Sequence, residues 1–176
     1  MKKIKKVLIT GAAGLCGSVL YDGLIKKGYK IICCDKKITP SNAAKKIKIK
    51  VSDKIKKIDL KNFKSLIKIT KGIDAAIHFG GIPRHTPKED IYSKILENNI
   101  SGTYNLFEAC RINKVKRIIF ASSAHVIGFH NRKNRIDEKC TLRPDSHYAV
   151  SKCFGEALAS LYLSLIHISE PTRRTP

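Results

Sequence analysis

Ile4-Lys5-Lys6-Val7-Leu8-Ile9-Thr10-Gly11-Ala12-Ala13-Gly14-Leu15-Cys16-Gly17 sets a short apolar run against a bend with three glycines in G-x-x-G-x-x-G spacing. The run from Ile4 to Ile9 predicts a strand closed by Thr10-Gly11. From Leu15 to Lys26 the apolar residues recur at helical spacing, and Gly28 stands where a helix C-cap belongs. Strand, glycine turn and helix therefore follow one another within the first 28 residues.

The pattern repeats downstream. Lys30 to Cys34 is a second β-rich run closed by Asp35, and the lysine-rich stretch from Ile47 to Ile58 holds a weaker third strand. A helix-like segment, Leu60 to Ile69, precedes a fourth strand from Ile73 to Phe79. An amphipathic pattern from Ile91 to Cys110 leads into a fifth strand, Val115 to Ala121, ending at Ser122-Ser123. Polar residues from Asn131 to Arg143 predict a surface loop, and Pro144 to Tyr162 predicts a last helix starting near Ser146. Strands alternating with helices imply right-handed crossovers and a parallel sheet covered on both faces. The fold class is α/β, a Rossmann-type doubly wound parallel sheet of order 3-2-1-4-5-6, truncated before its last strands and substrate domain.

Composition limits the function classes. Hydrophobic residues make up 43% and charged residues 28% of 176 residues, which suits one packed domain rather than a disordered chain. No apolar stretch approaches the ~18 residues of a membrane span, and no apolar h-region follows the basic start, so a cytoplasmic location is expected. The six cysteines contain no C-x-x-C pair and no histidine at ligand spacing, which implies free thiols and no metal. The net charge of +21 would ordinarily raise nucleic-acid binding. Its lysines alternate with isoleucine, as in Lys45-Lys46-Ile47-Lys48-Ile49-Lys50, without base-stacking aromatics, so a solvated surface accounts for the charge and nucleic acid is not the expected partner.

The glycine spacing has a chemical reading. Gly11 permits a tight turn, Gly14 lets backbone approach a pyrophosphate, and Gly17 allows close helix packing, while the helix start presents N–H groups to the anion. Asp35, at the end of the second strand, can accept both hydroxyls of an adenosine ribose and repels a 2′-phosphate. NAD is therefore favoured over NADP, with Lys36 and Lys37 partly offsetting that repulsion.

Tyr148-Ala149-Val150-Ser151-Lys152 puts a phenol and an amine one helical turn apart on one face. A phenol of pKa ~10 needs about 4 kcal/mol of differential stabilisation to reach ~7, and the Lys152 ammonium can supply much of it. Together with Ser122-Ser123 at a strand end, the order of these features resembles the extended short-chain dehydrogenase/reductases of the NAD-dependent epimerase/dehydratase kind, over residues 4–162.

What the resemblance implies can be stated residue by residue. Tyr148, Lys152 and Ser123 would be catalytic: Tyr148 exchanging a proton, Ser123 bonding the reacting oxygen, and Lys152 holding the nicotinamide ribose. The cofactor would also meet Gly11, Gly14, Leu15, Cys16, Gly17, Asp35 and Lys36, with Asp59 and Leu60 flanking the adenine. Phe79, Gly80 and Gly81 would lie along it, and Asn99 would support helix and cofactor. The runs Phe120 to Gly128, Arg143 to Ser146 and Ser151 to Glu156 are similar to the uronate dehydrogenase branch, which implies oxidation of a sugar acid to an aldarolactone. There Ser123, Ala124 and His125 would contact substrate, with His125 donating to a sugar hydroxyl or carboxylate. Pro83 and Ala124 depart from that branch, each removing hydrogen-bond capacity beside the sugar, and Arg84 and His85 stand close to Pro83. A nucleotide-sugar epimerase or dehydratase and a non-catalytic NAD-sensing or polyanion-binding module remain alternative readings. The resemblance also implies a homodimer.

Residues 1–162 form the expected cofactor domain, incomplete at its C-terminal side. Leu163 to Arg173 resembles the frame translation of a transposase-based sequencing adaptor, so residues 163–176 are expected to be a non-native tail. Such a chain is expected to bind NAD weakly and to turn over little.

Overall fold

A computed structural model describes residues 4–47, 50–83, 91–131, 133, 135–137 and 139–166. In chain order it contains β1 (Lys6–Thr10), α1 (Leu15–Lys26), β2 (Lys30–Asp35), α2 (Asn42–Lys46), β3 (Ile55–Lys57) and α3 (Phe63–Thr70). There follow β4 (Ala75–His78), α4 (Ile91–Ile95), a π-helical segment (Leu96–Ser101), α5 (Gly102–Ile112), β5 (Arg117–Phe120), a 3-10 turn (Ala124–Ile127) and α6 (His147–Ile166). All strand pairs are parallel and the order is β3-β2-β1-β4-β5. The chain thus builds outward from β1 in one direction, returns, and builds outward in the other. The crevice at the C-terminal ends of β1 and β4, where the order reverses, is where ligands bind in such sheets.

Strand β1 has neighbours on both sides and helices on both faces, which explains its unbroken apolar run. Leu8 faces a cluster of Leu66, Leu106, Cys110 and Val115 from the side of α3 and α5. Val7 and Ile9 face the opposite side, where Leu20, Tyr21 and Leu24 of α1 pack. Helix α6 lies against α5 and β5 through Phe107, Leu158 and Tyr162, with Phe107 meeting Tyr162 edge-on at 5.5 Å. At the far end of the sheet, Asp74 accepts from the backbone N–H groups of Lys5 and Lys6 and from Lys116 Nζ, tying the starts of three strands together. Those bonds hold its carboxyl down to about 2.

The boundaries expected from sequence shift at three places. The lysine-rich stretch yields a strand of three residues only, and ahead of it stands the unexpected α2, whose Ser41 accepts from the Ala44 N–H. Helix α3 starts at Phe63 instead of Leu60, because Asn62 caps it through the Ser65 N–H. The amphipathic run from Ile91 to Cys110 is not one regular helix. It widens through residues 96–101, a rare form that recurs at functional sites. Helix α6 runs through residues 163–166, while 167–176 lie outside the described residues, as do Arg84 and His85. Among the described residues no helix is long and apolar enough to cross a membrane.

Gly155 of α6 lies directly under the Phe120 ring, so a Cβ there would overlap ring carbons. Gly155→Ala is expected to destabilise the fold by about 1–3 kcal/mol through overpacking. Urea unfolding measures this, and a change below about 0.5 kcal/mol would mean the ring can move aside.

Candidate active site

The site begins with a backbone approach. Gly11 has φ +70°, and a Cβ there would stand 2.7 Å from both Gly80 N and Phe79 C. A Cβ on Gly17 would overlap the Gly11 carbonyl oxygen and Ala12 Cα. The bend is therefore pressed between the end of β4 and the first turn of α1 with no room for a side chain at residues 11 and 17. Helix α1 opens on Gly14, which brings no capping side chain, so its first N–H groups are left for an anion.

Asp35 fastens the next strand to this bend. Its Oδ2 accepts from the Ala13 N–H at 3.0 Å and its Oδ1 from the Lys37 N–H at 3.1 Å. Both oxygens keep a further lone pair for a ligand hydroxyl. An open pocket begins here, with Asp35, Lys36, Asp59, Leu60, Gly80 and Ile82 among its walls. A carboxylate, flat apolar walls and glycines that cannot intrude suit the adenosine half of a dinucleotide. Lys36 is paired with Asp59 at 3.2 Å. Burial raises the Asp59 carboxyl, but the Lys61 N–H and Lys36 more than offset it and hold it below its ordinary value.

Supporting residues fix the far wall. Leu60 fills the space that a side chain at Gly80 or Gly102 would need. Asn99, buried within the π-helical segment, accepts from the Ile82 N–H at 2.7 Å and donates to the Ile82 carbonyl at 3.0 Å and to Ser151 Oγ at 3.2 Å. It holds the Gly81-Ile82 segment against α6, and its neighbour Asn98 lines the pocket. Phe79 turns its ring into the core beside Ile9 and Ile77, so only its backbone faces the bend. Beneath the site, fully buried His78 links Thr10 Oγ1 at 2.6 Å to Thr103 Oγ1 at 3.0 Å. Burial, assisted by the Lys152 charge, depresses its pKa to about 3, so the ring is neutral.

The phenol and amine of α6 face the same crevice. Lys152 is buried, donates to the Ala121 carbonyl at 2.8 Å, and lies 4.8 Å from the Phe120 ring centre and 5.5 Å from that of Tyr148. Burial lowers its pKa to about 8. The Ser123 hydroxyl and Cys16, at the start of α1, both stand near enough to the Tyr148 phenol to act on its acidity. Its pKa is raised, first by burial, against the lowering effect of Ser123. The sequence expectation that Lys152 supplies much of the stabilisation needed to bring the phenol down is not reflected in this shift: the ammonium is drawn to the Ala121 carbonyl and burial dominates.

Ser123 leads into the 3-10 turn, where its Oγ accepts from the His125 N–H and Ala124 is exposed. The His125 ring meets the Tyr148 ring nearly edge-on at 6.4 Å. Pro83 is exposed beyond the braced Ile82. Reasoning from sequence missed Thr10, Ile82, Asn98 and Asp145. The first three are pocket walls whose residue types carry no signal, and Asp145 entered only within the Arg143 to Ser146 run of the resemblance, with no role of its own.

Similarities to known proteins agree with this arrangement. The profile of the NAD dependent epimerase/dehydratase family matches residues 7–164. The chain is 41% identical over 157 residues to uronate dehydrogenase of Pseudomonas putida, covering 89% of this chain and 55% of that one. The uronate dehydrogenase of Agrobacterium tumefaciens solved with NAD superposes with a TM-score of 0.76 at 34% identity, covering 92% and 57%. UDP-glucose 4-epimerase of Thermus thermophilus, solved with NAD, gives 0.80 at 25% identity, covering 93% and 52%. The chain spans about half the length of these proteins. With its glycine bend, acidic β2 end and Tyr148-Lys152 pair in one crevice and the profile match running nearly end to end, the chain belongs to the NAD dependent epimerase/dehydratase family.

Proposed function

We propose that the protein is an NAD-dependent oxidoreductase that oxidises a sugar acid, a hexuronate, at its anomeric carbon to the lactone. The observation that supports this most is that Ser123, Lys152 and Cys16, the last in the first turn of α1 after the glycine bend, all lie close to Tyr148. Likeness to uronate dehydrogenases favours a uronate over other sugars. When bound, NAD supplies the acceptor for the hydride that leaves the sugar carbon.

The chain's own residues have distinct tasks. The first turn of α1 would hold the pyrophosphate, Asp35 the adenosine ribose, and Leu60 and Ile82 the purine. Ser123 would bond the reacting oxygen and orient Tyr148, whose phenolate, formed after its own proton has left to solvent, takes the proton of the sugar hydroxyl. Lys152, on the same side of α6, favours the phenolate once it forms. Its bond to the Ala121 carbonyl holds the amine in the crevice and leaves it further protons to donate to a ribose. Ala124 and Pro83 bring no hydrogen-bonding side chain, so recognition of the sugar would rest on Ser123 and His125. The reading includes a cytoplasmic location, consistent with six free cysteines, and a homodimer. A nucleotide-sugar epimerase is the second reading, favoured by the likeness to UDP-glucose 4-epimerase, and would release no net NADH.

In the complete protein, D-glucuronate and NAD are expected to raise absorbance at 340 nm, and Tyr148→Phe to lower kcat about 10²–10⁴-fold. Retained NAD with no net reduction would turn the assignment to the epimerase. Asp35→Asn is expected to weaken NAD binding about 10–100-fold by calorimetry while narrowing its preference over NADP, through loss of charge-assisted bonds. Lys152 has a folded-state pKa of about 8 against an ordinary 10.5, so the unfolded chain binds more protons between those values. Its contribution to stability is least favourable below about pH 8 and improves as pH rises toward 10.5. The stability of the wild type relative to Lys152→Met should therefore increase between pH 7 and 9.5 in urea titrations, and a constant difference would contradict the buried, depressed amine.

A further inference from the structure

Helix α6 crosses β5 at contact distance because Gly155 presents no side chain to the Phe120 ring. Residues 148, 152 and 156 stand four apart on α6, so Tyr148, Lys152 and Glu156 form one stripe along it. That stripe meets three successive residues at the exit of β5. The Lys152 ammonium donates to the Ala121 carbonyl at 2.8 Å, the Ser122 hydroxyl donates to Glu156 Oε1 at 2.5 Å, and Ser123 stands beside the Tyr148 phenol. Lys152 and Glu156 carry opposite charges one helical turn apart, an arrangement that favours an ion pair. Among the described residues, Lys152 nevertheless has no carboxylate within ion-pair distance. Burial lowers its pKa with no carboxylate opposing it, and its charge is felt by His78 of β4. The Glu156 carboxylate is felt instead by Cys153, whose thiol it joins burial in raising.

We propose that Ser122 is a positioning residue: by holding the Glu156 carboxylate at the exit of β5 it keeps that carboxylate off Lys152, so that the ammonium stays available to the ribose of a bound dinucleotide. One positive charge faces two possible acceptors. An ammonium has three protons, of which the Ala121 carbonyl takes one. A neutral carbonyl leaves the charge in place, whereas a carboxylate would neutralise it and take a further proton. Glu156 is within reach of such a pair, because Ser122 follows Ala121 directly and the two α6 side chains rise from adjacent turns. A buried ammonium with a carbonyl for its acceptor draws any carboxylate that can approach it. The Ser122 hydroxyl therefore decides between two arrangements of one helix face. The role given to the ribose rests on the NAD reading of this crevice, and the control of Glu156 does not.

An NMR titration of the full chain, labelled with ¹³C at lysine Cε, tests this, the Lys152 resonance being the one absent from Lys152→Met. Ser122→Ala is expected to raise the Lys152 pKa from about 8 toward its ordinary 10.5, because the released carboxylate favours the ammonium. Glu156→Gln alone, and Ser122→Ala combined with Glu156→Gln, should each leave it at about 8. A value unchanged by Ser122→Ala overturns the proposal. A rise that persists in the double variant overturns it too, since water and not a carboxylate would then have reached the amine. Calorimetry with NAD adds the second readout: Ser122→Ala should weaken binding about tenfold, the loss of one hydrogen bond, and the double variant should return it to within about twofold of wild type. Equal NAD affinity in Ser122→Ala despite a raised lysine pKa overturns the role given to the ribose. A chain whose lysine responds as expected but whose wild type binds no NAD sustains Ser122 as the residue that directs Glu156 and refutes the dinucleotide reading instead.

Discussion

The turn after β1 meets the end of β4 backbone to backbone, and everything else in the crevice is arranged around that contact. Because residue 11 lies against Phe79 and Gly80, neither chain can carry bulk there, and the positive φ at Gly11 turns the bend away from the sheet. Helix α1 then starts close enough to its own strand that Gly17 touches the bend. The result is a floor of main chain, with amide groups instead of side chains presented to an incoming anion. Strand β2 is drawn into the same structure by the Asp35 carboxylate on the Ala13 N–H. The order of the sheet delivers these parts to one edge, and the glycines let them close to contact distance.

A second layer of fixed polar groups supports that floor. His78 joins β1 to α5 through Thr10 and Thr103, and Thr10 Oγ1 also receives the Gly80 N–H. Asn99 joins the segment after β4 to α6 through Ile82 and Ser151. These bonds are buried or half-buried, where the surroundings are less polarisable than water, and each specifies geometry more than it adds stability. Lys152 is the exception in kind, a charge held in the interior by one carbonyl and the face of Phe120. Its depressed pKa is the measure of how unfavourable that placement is, and the nearby phenol is raised by the same burial.

Much of this was legible in the residues. The strand order, the limits of α1 and the pairing of Tyr148 with Lys152 follow from periodicity and from glycine and aspartate at strand ends, where local chemistry and tertiary position demand the same residue. Helix α2 escaped notice because a lysine-rich stretch carries no apolar face, and its start depends on one Ser41 cap. Asn98 and Ile82 escaped because a pocket wall asks only for shape. Asp145 escaped because its carboxylate acts on a residue twenty positions earlier, across a pairing that no period announces. The phenol's raised pKa was out of reach for a different reason: spacing brings an amine near a ring, but says nothing of which oxygen that amine prefers.

The widened turn at residues 96–101 carries one amino acid more than a regular helix would over the same rise. That extra residue offsets the angular phase of all that follows by about 100°, so Asn99 can face Ile82 and Ser151 while Gly102, three positions on, admits Leu60. A chain shortened by a single residue in this interval would gain better backbone bonding and lose the alignment of both contacts. Local helix quality and crevice geometry thus pull in opposite directions over six residues. Length, more than identity, is the property of this segment least open to change.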